Sequence, residues 1–213
     1  MSLRPECPRC PQSVLEGDEG WRCPTHADLA PLWRAEALDY ETFAEYLGRA
    51  EPLATWLPWP LPPGWQVTDF GVVRGELDTD EPRAAVVGVV GASDAEGVVE
   101  LALVSEEPGV GLGARVAGVD QTDPGREAGV GSPMLKIRVD GNAVPLWAVS
   151  VPDDEPLLDR AVLVGEAAGR WLWVVVRPAS AVLLLPAMPE VLDVSGLGPE
   201  LMALPFGVVP PAW

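Results

Sequence analysis

The three cysteines and the single histidine of this chain fall within twenty residues, as Cys7-Pro8-Arg9-Cys10 and Cys23-Pro24-Thr25-His26. The spacing C-x2-C-x12-C-x2-H is that of a tetrahedral Cys3His zinc site, so Cys7, Cys10, Cys23 and His26 are the expected metal ligands. Each four-residue turn presents two ligands on one side of an ion, and the proline after each turn's first ligand stiffens it by fixing φ. The stretch Glu16-Gly17-Asp18-Glu19-Gly20 has the composition of a chain reversal between two such knuckles. Trp21 can cover one side of a module this small. A metal also supplies what a few dozen residues cannot bury as core. Four protein ligands close the coordination shell, so the expected Zn2+ is structural and leaves no position for a reactive water. An odd cysteine count, with no signal-peptide pattern in residues 1–15, argues against a disulfide.

With those four residues committed to a metal, no histidine or cysteine remains. Ser-His-Asp triads, Cys-His dyads and histidine-metal catalysis are then excluded within one chain. Any chemistry would rest on Asp, Glu, Arg, Tyr, Ser or the only lysine, Lys136.

A second chemical pattern is Glu106-Glu107-Pro108-Gly109-Val110-Gly111-Leu112-Gly113-Ala114-Arg115. Glycines let backbone N–H groups approach a phosphate, and an arginine adds charge, which makes Gly109, Gly111, Gly113 and Arg115 a candidate ligand-binding set. The segment lacks the Lys-Ser/Thr of a nucleotide-binding P-loop. It reads as leading into a strand over 114–119 rather than a helix, unlike a dinucleotide fingerprint. The competing reading is a tight loop between strands. Asp120, Asp123, Asp153, Asp154 and Glu155 could serve as acid/base pairs or hold Mg2+ or Ca2+. Their spacing matches no cation-binding loop, and solvated loop acids are the simpler reading.

The chain has 213 residues, 48% of them hydrophobic, and a formal net charge of −18. This is a folding composition, large enough for one sizeable domain with a small module attached. The charge opposes nucleic acid and anionic membrane surfaces. Even residues 1–50 carry five arginines against nine acids. The most apolar stretch, 161–189, is interrupted by Glu166, Arg170, Arg177, Pro178 and Pro186, so no bilayer span is expected. Reduced cysteines point to the cytoplasm. Thirteen arginines beside one lysine, with abundant Ala, Gly, Val and Pro, look like the codon bias of a GC-rich genome.

The expected organisation has three parts: a zinc-ribbon-like module at 1–32, a helix and Pro/Trp-rich connector at 33–65, and a β-rich domain at 66–213. Asp39 can cap a helix over 40–47 that Gly48 ends, with Phe43, Tyr46 and Leu47 on one apolar stripe. Four prolines and three tryptophans between Trp56 and Trp65 favour an extended connector packed on the main domain; an exposed ligand for an aromatic groove is the alternative. Val-rich runs at 66–74, 84–90, 98–104, 114–119, 134–139, 143–149, 161–166 and 170–177 read as strands. Asp140-Gly141-Asn142, between Val139 and Ala143, and Ala168-Gly169 have hairpin-turn chemistry. The 170–177 run is apolar on both faces, as in a central or covered strand. Residues 179–185 fit a helical turn or a strand, and 198–204 a short helix. The fold class is α+β with a mainly antiparallel sheet.

Taken together, the Cys-Pro-Arg-Cys start, Trp21-x-Cys23-x-x-His26, Trp59-Pro-Leu-Pro-Pro-Gly-Trp65, the 106–115 segment and Trp171-Leu-Trp173 resemble an uncharacterised actinobacterial protein family. That family is a domain of unknown function with a cysteine-bearing N-terminus. The resemblance spans nearly the whole chain and implies a single co-inherited architecture with the metal ligands at Cys7, Cys10, Cys23 and His26. It implies no activity. The expected function is that of a non-enzymatic cytoplasmic zinc-ribbon protein working through a protein partner or in regulation. The alternatives are a small-molecule or phosphate binder, or an enzyme, using the 108–115 loop, and a transcription-associated zinc ribbon.

Overall fold

The computed structural model describes residues 3–17, 20–75, 81–125, 128–151, 159–207 and 213. The chain is mostly β-sheet with few helices. Its strands are β1 (Leu3–Glu6), β2 (Leu15–Gly17), β3 (Gly20–Cys23), β4 (Ala27–Asp28), β5 (Leu32–Ala35), β6 (Trp56–Pro58), β7 (Gln66–Val73), β8 (Ala84–Ser93), β9 (Gly97–Glu106), β10 (Leu135–Val139), β11 (Asn142–Ala148), β12 (Ala161–Ala167), β13 (Arg170–Arg177) and β14 (Val191–Asp193). Helix α1 spans Tyr40–Ala50 and α2 spans Leu112–Ala117; 3-10 turns cover Ala179–Ala187 and Gly198–Ala203. Eleven strands form one sheet in the order β1-β5-β7-β8-β9-β13-β12-β11-β10-β14-β6, and β2-β3-β4 form a small second sheet. Among the described strands, only the β10/β14 pairing is parallel.

Period-two alternation divides the central strands between two cores. Val87 and Val89, Leu101 and Leu103, and Leu172, Val174 and Val176 face one side, with Phe43, Tyr46, Trp56 and Trp65. Val86, Ala102 and Val104, and Trp173 and Val175 face the other, with Leu112, Ala114 and Val116. The strand expected at 170–177 is therefore central and covered on both faces, lying between β9 and β12. The sheet also bends back on itself at β11, which pairs with β10 through Asn142–Leu146 and with β12 through Trp147 and Ala148. The far edge strand β6 in consequence packs against β8 and β9.

Both expected hairpin turns form. Val139 pairs with Asn142 across Asp140 (φ 44°) and Gly141 (φ 78°), and Ala167 pairs with Arg170 across Ala168 (φ 51°) and Gly169 (φ 73°). Two consecutive left-handed residues match the right-handed twist of the flanking strands. Asp39 caps α1 by accepting from Thr42 N at 2.8 Å. The helix runs through Gly48 to Ala50; the expected stop at Gly48 fails because Glu51 N still reaches Leu47 O, and Pro52 then prevents continuation. Phe43 and Tyr46 pack on Phe70 at 5.0 and 5.3 Å between ring centroids.

The connector is packed down: Trp56 and Trp65 are buried, and Trp56–Pro58 is itself a strand of the large sheet. Residues 179–187 form a 3-10 turn. The larger correction is at 114–119, read as strand: residues 114–117 belong to α2 and Gly118 caps it. Left-handed glycines at Gly111 (φ 89°) and Gly118 (φ 65°) bracket that turn, and a run of six residues is too short for its periodicity to separate helix from strand. The expected first module also shares the large sheet, since β1 is its edge and β5 the next strand.

Gly165 holds the bend together. A Cβ there would lie 2.5 Å from the Pro145 carbonyl oxygen of β11, whereas one at Gly196 meets nothing within 4 Å. Gly165→Ala should cost about 1–3 kcal/mol of unfolding free energy in chemical denaturation, as overpacking against backbone does. Gly196→Ala should stay within about 0.5 kcal/mol of the parent.

Candidate metal centre

The two ligand turns meet as the spacing requires. Cys7 directly follows edge strand β1, and Cys23 ends β3, so hydrogen-bonded strands lead into both knuckles. The ligand atoms of Cys7, Cys10, Cys23 and His26 all lie within 4.8 Å of one another, a group that could hold a metal ion. His26 offers Nδ1, at 3.4 Å from Cys7 Sγ and 3.7 Å from Cys23 Sγ, while Cys10 Sγ is 3.7 Å from Cys23 Sγ. Each knuckle also turns a backbone amide onto its first sulfur: Arg9 N donates to Cys7 Sγ and Thr25 N to Cys23 Sγ, both at 3.4 Å. Cys7 and Cys23 are buried.

The electrostatics of the two buried sulfurs differ. Burial pushes the Cys7 thiol up to about 12. Burial opposes ionisation of Cys23 as well, but the Thr25 and His26 amides and the His26 side chain outweigh it and bring the thiol down to about 6. Burial opposes ionisation of both sulfurs, and a bound cation would offset that cost at each.

The module is fixed to the sheet by buried charges. Glu6, at the end of β1, accepts from Arg115 Nη2 through Oε2 at 2.7 Å, lies 3.5 Å from Arg34 Nη1, and takes Arg4 Nη2 on Oε1 at 2.8 Å. Arg34 on β5 also grips Asp69 on β7, with Nε and Nη2 at 3.0–3.2 Å from its carboxylate. The Trp213 ring stacks near both guanidiniums, at 4.1 Å from Arg34 and 5.1 Å from Arg115. Burial would raise the Glu6 carboxyl, yet Arg115, Arg34 and Arg4 hold it below the usual range. Asp69, deeper in the protein, is pushed up to about 6 by burial despite Arg34.

The glycine-rich segment lies directly against this module. Arg9 donates to the carbonyls of Gly109 (2.6 Å) and Val110 (3.0 Å), and Arg115 Nη1 donates to the Cys7 carbonyl. The amides of Leu112 and Gly113 donate to Glu106 Oε2 at 2.9 and 3.1 Å, and Gly109 N donates to Asp123 Oδ1 at 2.7 Å. The amides of Gly109, Leu112 and Gly113, with Arg115, are thus engaged by the chain's own carboxylates and a carbonyl. Gly113 is required for the fit, because a Cβ there would sit 2.3 Å from the Trp173 ring. Of the acids considered from sequence, Asp123 serves this segment; Asp153, Asp154 and Glu155 lie outside the described residues, as do Asp18 and Glu19 of the expected reversal.

Sequence reasoning missed Glu6, Arg34, Asp69 and Glu106. For Glu106 a signal existed: alternation along β9 places it on the same face as Ala102 and Val104, in the second core. For Asp69 the register shift between Val67 and Asp69 breaks the alternation that would have flagged it.

Residues 1–213, the whole chain, match a single family. The protein belongs to DUF6758, a family of unknown function. No curated protein and no solved structure matches it. Because the DUF6758 match covers both the Cys3His cluster and the 106–115 segment that seats it, the two belong to one family architecture.

Glu106 is fully buried, and among the described residues its Oε1 has no hydrogen-bond partner. Burial raises its carboxyl to about 7 against the pull of the Gly113 and Leu112 amides. The folded protein therefore binds more protons than the unfolded chain between an ordinary value of 4.5 and about 7, so this group makes stability fall as pH rises through that window. Between pH 6 and 7.5 the wild type should lose about 1 kcal/mol more unfolding free energy than Glu106→Gln. Denaturation curves at the two pH values read the difference, and equal slopes for the two proteins would refute it.

Proposed function

We propose that this DUF6758 protein is a non-enzymatic zinc protein in which Cys7, Cys10, Cys23 and His26 hold Zn2+ as a structural crosslink, and that the stapled, zinc-ribbon-like module serves a protein partner. The observation that carries the reading is the ligand geometry. A tetrahedron with Zn–S near 2.3 Å and Zn–N near 2.05 Å has edges of about 3.8 Å between sulfurs and about 3.6 Å between sulfur and nitrogen. The Cys10–Cys23 sulfur–sulfur separation of 3.7 Å and the separations of 3.4 and 3.7 Å from His26 Nδ1 to the Cys7 and Cys23 sulfurs approach those edges, and all six separations lie within 4.8 Å. The N–H···S bonds from Arg9 and Thr25 support thiolate character at Cys7 and Cys23. When bound, the ion supplies a fixed joint between the two knuckles, and a shell of four protein ligands reserves no place for substrate.

A cytoplasmic setting suits three unpaired cysteines. Among the described residues no helix is long and apolar enough to cross a membrane. The partner reading rests on the surface of the small β2-β3-β4 sheet, with Leu15 on β2 68% exposed. A phosphate ligand at 108–115 is disfavoured because Glu106, Glu6 and the Cys7 carbonyl already take the donors it would need.

Protein purified under reducing conditions should carry one zinc per chain by elemental analysis. Cys10→Ser and Cys23→Ser should each lose it and unfold the first thirty or so residues; unchanged zinc in both variants would refute the metal assignment. Co-purification from native cells should recover a partner with wild type and not with Cys23→Ser, and equal recovery with both would remove the module from that interaction.

A further inference from the structure

None of the hydrogen bonds made by residues 109–115 reaches a sulfur or the imidazole among the described residues, yet the segment grips the first knuckle from both sides. Arg115, whose side chain is 4% exposed, donates to the Cys7 carbonyl and to Glu6 Oε2 just before it. Arg9, inside the knuckle two residues after Cys7, sends its side chain to the Gly109 and Val110 carbonyls. The backbone N–H of the same Arg9 is the donor to Cys7 Sγ. One residue therefore reads the position of the glycine-rich segment with its guanidinium and orients a ligand sulfur with its amide.

We propose that residues 109–115 are a remote outer shell of the metal centre: Arg115 and Arg9 are positioning residues that set how tightly the Cys3His cluster holds its ion, and metal occupancy in turn sets how firmly α2 is seated. The proposal rests on the zinc reading above and adds where the affinity is tuned. Outer partners that orient first ligands typically contribute 10–100-fold to metal affinity. Three thiolates, one neutral imidazole and a divalent cation leave a net negative charge, which the neighbouring guanidiniums complement. Coupling between two sites is reciprocal, so a segment that tightens the metal must itself be tightened by it. The far end of that coupling is defined, because α2 is held on the sheet by the Leu112 and Gly113 amides bonded to buried Glu106.

The test uses the full reduced chain with Co2+ as the probe. Its absorption reports tetrahedral thiolate ligation, and competition with a chelator gives its affinity. Arg115→Ala and Arg9→Ala should each weaken Co2+ binding by about tenfold or more and shift the ligand-field bands, with Arg115→Lys recovering part of both. In the wild type, stripping the metal should speed amide hydrogen exchange at Leu112 and Gly113 at least tenfold. A wild type that takes no Co2+ overturns the zinc reading and this inference together. A wild type that binds Co2+ while both alanine variants hold it within twofold overturns the inference alone. If Arg115→Ala does not fold, the wild-type exchange decides: unchanged protection at Leu112 and Gly113 after metal removal overturns the coupling.

Discussion

Glu6 is the residue through which the two halves of this molecule meet. It ends the edge strand that leads into the first metal-binding turn, and it receives guanidiniums from Arg4, Arg34 and Arg115, which come from β1, β5 and α2. Burying charges is costly, and a mutual arrangement returns that cost only when every lone pair and proton has a partner. Here two carboxylates, Glu6 and Asp69, are shared among three arginines, and the Trp213 ring covers two of them. Arginine suits the role because its planar fork donates in several directions at once; Arg115 holds a carboxylate and a carbonyl together, where a lysine would present a point charge. Removing Glu6 would leave the buried Arg115 guanidinium without its carboxylate. The cluster thereby fixes a single register of the module on the sheet.

The second constraint is the cover on the opposite face of the sheet. Helix α2 is a six-residue turn, too short to be stable by its own hydrogen bonds. Three outside contacts hold it. Glu106 accepts its first amides, Gly113 brings its backbone onto Trp173, and Arg115 ties it to the metal module. The glycines that make the sequence resemble a phosphate loop are explained by those contacts. Gly111 and Gly118 supply left-handed ends, and Gly113 supplies clearance over an indole. The anion that a phosphate loop would bind from solvent is a carboxylate of the chain itself.

Beneath both features lies the curled sheet. Strict alternation on β8, β9 and β13 gives the molecule two cores rather than one, and the bend at β11 returns β6 across the first of them. The metal module is attached at the β1 edge of this sheet, and that edge is paired with β5 in full register from Leu3 to Glu6. A metal ion held by Cys7, Cys10, Cys23 and His26, just beyond that edge strand, would limit how far the strand can fray and so link the two turns to the stability of the sheet.

The amino-acid sequence by itself determined whatever depends on neighbours along the chain. The gathering of Cys7, Cys10, Cys23 and His26 into a group that could hold a metal ion followed from spacing and residue type, because a tetrahedral ion needs two close pairs of ligands. The hairpins at Asp140-Gly141 and Ala168-Gly169 followed from turn chemistry, the Asp39 cap from its short polar side chain, and seven of the eight proposed strands from Val-rich runs. Tertiary structure decided the rest. Residues 112–117 became a helix because Glu106 and Trp173, remote or ambiguous in the sequence, hold it there. The roles of Arg34, Asp69 and Arg115 depend on elements 28 to 109 residues apart being brought together, as the contacts of Glu6 with Arg34 and Arg115 show. Local patterns carry no record of such pairings, since a buried ion pair is chosen by the partner opposite it and not by the residues beside it.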